Sequence, residues 1–226
     1  MIKHYLKVAF RNLMKYKMQS FVSIIGLAVG FTCFALSALW IRYEMTYDNF
    51  HKGSDRIYMV RAHYANEPGT SKFTPYPLME YLQDKMPEIE AVTAFIPHHV
   101  KFRLEETEQE VGMIDADSVF MNFFDIQLLK GTVNFLKSDG QEVAITKEFA
   151  KRLFSKEEDA LGKEVEVGRR VCKIGAIVSG WSNHSNIPYN ILAPARHSPR
   201  WGSSNEQLFI RVRERTDIDA FRTKMS

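Results

Sequence analysis

No acidic residue precedes Glu44 in this 226-residue chain, and no charge of either sign falls within 18–41. A run of 24 residues without a charge is not a solvated surface segment, and an opening that carries Lys3, Lys7, Arg11, Lys15 and Lys17 without a counter-charge is a cationic end. Cysteine is scarce as well: Cys33 lies in the apolar run and Cys172 far downstream, which excludes a disulfide framework. No G-x-x-x-x-G-K-[ST] phosphate loop occurs, and the nearest approach, Gly162-Lys163, lacks both the first glycine and the hydroxyl residue. Nucleotide hydrolysis is therefore not assigned to this chain, and no cofactor is implied. Once the six basic residues before position 43 are set aside, 24 basic residues face 27 acidic ones, so the body of the chain is mildly acidic and nucleic acid is not its partner. Internal repeats and low-complexity stretches are absent. What remains is 45% hydrophobic with 12% aromatic residues, ample for a packed core.

The uncharged run 18–41 would reach about 36 Å as a helix, enough to span a bilayer. Eleven of its residues are Leu, Ile, Val or Phe, worth about −3 to −7 kcal/mol toward insertion, against which Gln19, Ser20, Ser23, Thr32 and Ser37 count modestly. Tyr16 stands at one end and Trp40 and Tyr43 at the other, where amphipathic rings favour the headgroup zone. A cleaved signal peptide has a shorter apolar region, and a buried soluble helix keeps a polar face that this run lacks. Residues 18–43 are thus read as a transmembrane helix and 1–17 as a cytoplasmic amphipathic basic helix. In that helix Ile2, Tyr5, Leu6, Ala9, Leu13 and Tyr16 recur at helical spacing, and Lys3, Lys7, Arg11 and Lys15 step by four along another face. Five basic residues before the span against Arg42, Lys52, Arg56 and Arg61 after it place the amino terminus in the cytoplasm by a modest margin. Gly26 and Gly30 form a G-x-x-x-G pair that would let a second helix pack closely.

Beyond the span, residues 44–226 read as one α+β domain, incomplete at its carboxyl end and built of two subdomains. Strands are expected at 56–64, 90–96, 99–104, 109–114, 125–129 and 207–213, and a helix at 75–85 after Pro75. Asp117 caps a short helical turn over 117–124, and Thr146 caps a helix that buries Phe149, Ala150, Leu153 and Phe154. The segments 163–167 and 171–178 form a hairpin about Gly168-Arg169-Arg170. A last helix starts at Asp217 with Ile218 and Phe221 and reads as cut short, so further apolar spans are expected in a longer protein.

Four stretches, in order, resemble the MacB/FtsX-type ABC transporter permease family, particularly its Bacteroidetes-like members. These are Phe10-Arg11-Asn12-Leu13-Met14-Lys15 with Ile25-Gly26-Leu27-Ala28-Val29-Gly30; Tyr43-Glu44-Met45-Thr46-Tyr47-Asp48-Asn49-Phe50-His51 with Asp55-Arg56-Ile57-Tyr58; Phe123-Phe124-Asp125-Ile126-Gln127-Leu128-Leu129-Lys130-Gly131 with Ala144-Ile145-Thr146-Lys147 and Ala150-Lys151-Arg152-Leu153-Phe154; and Gly175-Ala176-Ile177-Val178 with a loop 184–192. Trp181 departs from the pattern. The resemblance implies a bacterial inner-membrane permease subunit with a periplasmic core domain, working as a homodimer or heterodimer with an ABC ATPase. It would export peptides, lipoproteins or drugs, or transmit force to a periplasmic partner, through a rigid joint at 44–50.

The remaining residues give no competing chemistry. His51, His63, His98, His99, His184 and His197 have no second ligand at metal spacing and read as surface or loop histidines. Glu105, Glu106, Glu108 and Glu110 read as charge alternating along a strand edge. Ser185, Ser203 and Ser204 lack a nucleophile elbow, and Asn183-His184-Ser185 is an incidental glycosylation pattern. Phe95, Phe120, Phe123, Phe124 and Trp181 are read as core. Two other readings stay open: a single-pass sensor with an outer ligand-binding domain, and an anchored periplasmic enzyme, which would need a constellation of acid, base or metal ligands.

Overall fold

A computed structural model describes residues 2–46, 53–65, 68–154, 156–181 and 185–225. The chain divides into two units, Met1–Tyr47 and Asp48–Ser226. The first holds two helices, α1 (Ile2–Lys15) and α2 (Lys17–Glu44), separated by Tyr16, whose φ of −110° and ψ of 54° break the helical path. No charge interrupts α2 between Lys17 and Arg42, and at 28 residues it measures about 42 Å. It is long and apolar enough to cross a membrane. Its last turn closes with Met45 N–H donating to Ile41 O at 2.9 Å and the Thr46 hydroxyl to Tyr43 O at 2.8 Å. Most of the joint expected at 44–50, with His51 and Lys52, lies outside the described residues, as do Asn183 and His184.

The second unit is α+β. Its elements run β1 (Ile57–Met59), β2 (Thr74–Pro75), α3 (Pro77–Lys85), β3 (Ile89–Leu104), β4 (Thr107–Ala116), α4 (Ser118–Phe123), β5 (Leu128–Gly131), β6 (Glu142–Thr146), α5 (Lys147–Leu153), β7 (Glu164–Val167), β8 (Arg170–Val178), β9 (Ile191–Pro194), β10 (Ser204–Val212) and α6 (Ile218–Met225). The long strand β3 serves two sheets. Its first half pairs with β10 from Ile89 to Phe95, and its second half pairs with β4 from Ile96 to Leu104. The two strands expected at 90–96 and 99–104 are therefore one. Pro97 does not interrupt it, because it sits at the handover between partners, where a missing N–H is least costly.

The first sheet, β1, β10, β2 and the start of β3, buries Val92, Ala94, Leu208 and Ile210 against Met79 and Leu82 of α3 and Phe221 of α6. The second closes on itself: β3 pairs with β4, β4 with β9, β9 with β6, β6 with β8, β8 with β7, and β7 with β3 again through Phe102↔Val167 and Arg103↔Glu166. The result is a six-stranded barrel. Alternate positions along these strands, among them Val111, Val143, Ile145, Val165, Cys172, Ile174 and Ile191, gather into one buried cluster, as the two-residue period of a strand requires. A third cluster lies outside the barrel wall, where Phe120, Phe123 and Phe124 of and after α4 meet Phe95, Trp181 and Tyr189. Of the five aromatics read as core, the four phenylalanines are buried and Trp181 is partly buried against them.

Local signals place the joints. Asp117 accepts from Phe120 N–H at 2.9 Å and Thr146 from Phe149 N–H at 3.3 Å, so both expected caps form. The β7–β8 turn is Gly168-Arg169, with Gly168 at φ 64°, and Arg170 already belongs to the strand. The strand expected at 56–64 shortens to Ile57–Met59 after a 3-10 turn at Ser54–Arg56. The strand expected at 125–129 lies instead at Leu128–Gly131, and 191–192, taken for loop, open β9. Gly131 turns at φ 83°, and a Cβ there would meet Gly175 O and Ala176 Cα, so backbone approaches backbone where β5 reaches β8.

Candidate functional site

The residues singled out for the membrane stand on α1 and α2. Lys7 and Arg11 are exposed along α1, Lys15 sits over the Tyr16 ring at 5.5 Å, and Lys17 opens α2. Lys3 is in α1, with its side chain outside the description. At the other end Trp40 is 68% and Tyr43 52% exposed, and Phe21, Leu27, Phe31, Phe34 and Leu39 are exposed between them. No residue of α2 is buried. An uncharged helix without a polar face or a protein cover has only lipid or another helix as a favourable solvent. Gly26 and Gly30 lie one turn apart with nothing within 4 Å of either position, so a neighbouring helix could approach there.

Among the described residues of the outer domain, no three His, Cys, Asp or Glu side chains are placed to hold a metal. Of the suspected acids, Glu105 occupies the β3–β4 turn at φ 52°, so Glu105 and Glu106 do not alternate along an edge. Glu108 is on β4, held by Arg103 Nη2 at 2.8 Å and Lys101 Nζ at 3.0 Å, and those cations keep its carboxyl below the usual range. It is a cross-strand ion pair.

Among the described residues, His98 and His197 have carboxylate neighbours. His197 is not a surface residue: its ring stacks on Tyr76 at 4.0 Å and 7°, with Nδ1 3.7 Å from Glu206, itself 1% exposed, and Nε2 3.9 Å from Asp117. This arrangement ties the β9–β10 connection to the cap of α4 and to β10. His98, half-exposed on β3, has Nε2 3.4 Å from Asp115 Oδ1 on β4. The separation suits an ion pair better than an aligned hydrogen bond. Close contact with Asp115 raises the His98 pKa more than burial lowers it.

His98 and Asp115 open onto a feature that the sequence did not suggest. They line a cleft of about 360 Å³ together with Met113, Val143, Val167, Cys172, Ala193, Arg169, Arg170 and Arg196. These residues come from all six strands of the barrel, the turn between β7 and β8 and the connection that follows β9. In sequence the only trace was Arg169-Arg170, which read as turn chemistry.

A family model described as the MacB-like periplasmic core domain matches residues 20–226. No curated protein matches the chain. Among solved structures, a domain of a protein described as a permease from Porphyromonas gingivalis has a TM-score of 0.64 at 20% identity, over 77% of this chain and 82% of that one. The extracellular domain of the noncanonic ABC-type transporter YknZ from Gram-positive bacteria gives 0.54 at 15% identity, over 73% and 86%. The periplasmic region of MacB from Actinobacillus actinomycetemcomitans gives 0.54 at 12% identity, over 76% and 81%. At these identities the likeness is one of fold.

Proposed function

From the premise that this chain belongs to the MacB-like periplasmic core domain family, we propose that it is part of a permease subunit of an ABC transporter, anchored by α2 with its amino terminus in the cytoplasm and its barrel-bearing domain outside. The observation that carries this reading is the extent of the match: it begins within α2 and runs through α6, so the membrane-capable helix and the strand-rich domain belong to one pattern. The chain's role is mechanical. ATP is hydrolysed on a partner ATPase, and movement of the membrane helices is passed through 44–50 to the outer domain, which acts on a peptide, lipoprotein or drug, or on a periplasmic partner. The permease works as a dimer, with Gly26 and Gly30 at a helix–helix contact.

The test is a Gly/Ser linker inserted after Tyr43 in the full-length permease reconstituted with its ATPase. A flexible linker lets the two units move independently, so ATP hydrolysis should persist while transport or periplasmic movement is lost. Unchanged transport rejects rigid coupling. Topology is checked separately: protease added to intact spheroplasts should digest the chain beyond Tyr43, and protection until lysis overturns the orientation.

A further inference from the structure

The barrel is filled unevenly. Toward α5 its interior holds Phe102, Ile145, Ile174, Ile191 and Phe149, each fully buried, with the Phe102 and Phe149 rings 5.0 Å apart. Toward the opposite mouth the floor is Val143, Val167, Cys172 and Ala193 beside Met113, with His98 and Asp115 at the rim. These side chains leave a cleft of about 360 Å³ open. This volume falls at the lower end of the range for small-molecule sites, which are characteristically apolar inside with a few polar groups at the rim.

The rim is cationic. Most arginines of the outer domain hold a partner: Arg56 has Glu90, Arg103 has Glu108 and Glu166, and Arg211 donates to Phe123 O. At the cleft, Arg196 is taken by Asp139, at 2.5 Å, and His98 by Asp115. Arg169 and Arg170 form no ion pair or side-chain hydrogen bond among the described residues, although both face the cleft. Two unpaired guanidinium groups over a low-dielectric floor concentrate a positive field and match the oxygen geometry of a carboxylate or phosphate.

We propose that this mouth binds a small amphipathic anion, with its carboxylate or phosphate on Arg169 and Arg170 and a short apolar body on Met113, Val143, Val167 and Cys172. The site is independent of how the domain couples to the membrane. Its contents would change the charge and packing at the end of the barrel where β3, β4 and β9 meet.

Cys172 supplies the probe. Burial pushes its thiol above the usual range, against the pull of Arg170, so it reacts slowly and any occupant of the cleft should slow it further. In the full chain in zwitterionic lipid nanodiscs, with Cys33→Ala leaving one thiol, alkylation by N-ethylmaleimide is followed with hexanoate, hexyl phosphate, hexanol or inorganic phosphate. Rates are normalised to the ligand-free rate of the same variant, and the Met113 methyl signal in NMR gives a second readout free of thiol chemistry. One or both amphipathic anions should protect Cys172 and shift Met113, and the one acting at lower concentration identifies the head group. R169Q/R170Q should weaken that binding about tenfold or more. Hexanol acting as well as hexanoate, inorganic phosphate as well as hexyl phosphate, neither anion binding, or an unchanged affinity in R169Q/R170Q would each overturn the proposal.

Discussion

Helix α2 and the barrel are made of the same side chains, Leu, Ile, Val and Phe, put to opposite use. Along α2 these residues occur on every side, and none is buried by the rest of the chain. In the barrel they alternate with inward and outward positions, and Phe102, Ile145, Ile174 and Ile191 reach full burial. Gly26 and Gly30 face open space, whereas Gly131, on β5 at the side of the barrel, is pressed against Gly175 and Ala176. Composition alone does not distinguish the two regions; the period of the apolar positions does, because an all-apolar helix requires an apolar solvent and an alternating strand supplies its own core.

The sharpest way to break this comparison is to delete the same kind of group in both places. Phe149→Ala removes the ring that closes the barrel against Phe102 and carries the Arg152 guanidinium at 5.1 Å. It should destabilise the outer domain by about 3–5 kcal/mol, read as a lower midpoint in denaturant. Leu27→Ala should leave the same transition within about 0.5 kcal/mol. Equal effects would mean that the two units do not unfold as separate bodies. A second contrast uses a smaller change. Gly131→Ala forces an alanine into φ 83° and against the Ala176 Cα at 2.8 Å, which should cost about 1–3 kcal/mol. Gly26→Ala should leave outer-domain stability unmoved, and a loss matching that of Gly131→Ala would show that α2 packs on the domain.

Much of this was legible from residues a few positions apart. The apolar run, the caps at Asp117 and Thr146, the turn at Gly168 and the aromatic core around Phe120 all rest on local spacing or on hydrophobicity. Long-range pairing was not legible. β9 has four residues, and nothing near it in sequence says that it lies between β4 and β6. The barrel closes through two residue pairs between β3 and β7, and Pro97 reads as a stop unless the change of partner beside it is known. His197 was expected at the surface because its burial depends on Tyr76 and Glu206, which lie on remote segments. The cationic cleft was hidden for the same reason: each lining residue is ordinary in its own strand.

The smallest effect tests whether that open mouth is electrostatically tuned while the plugged end is not. His98 faces Asp115 across the β3–β4 pair and shares the cleft with Arg169, Arg170, Arg196 and Cys172. Its folded pKa lies above the ordinary value of 6.5, chiefly through the contact with Asp115. A raised pKa means that the folded chain binds the proton more tightly than the unfolded one. The stabilisation is thus fully present below about pH 6.5 and is lost as pH rises through the folded value. NMR titration of the His98 ring should give a pKa above 6.5, and Asp115→Asn should lower it while flattening the dependence of stability on pH in that window. A His98 pKa at or below 6.5 in the unaltered chain would mean that burial and the arginines outweigh Asp115, and that the mouth is set by its guanidinium groups alone.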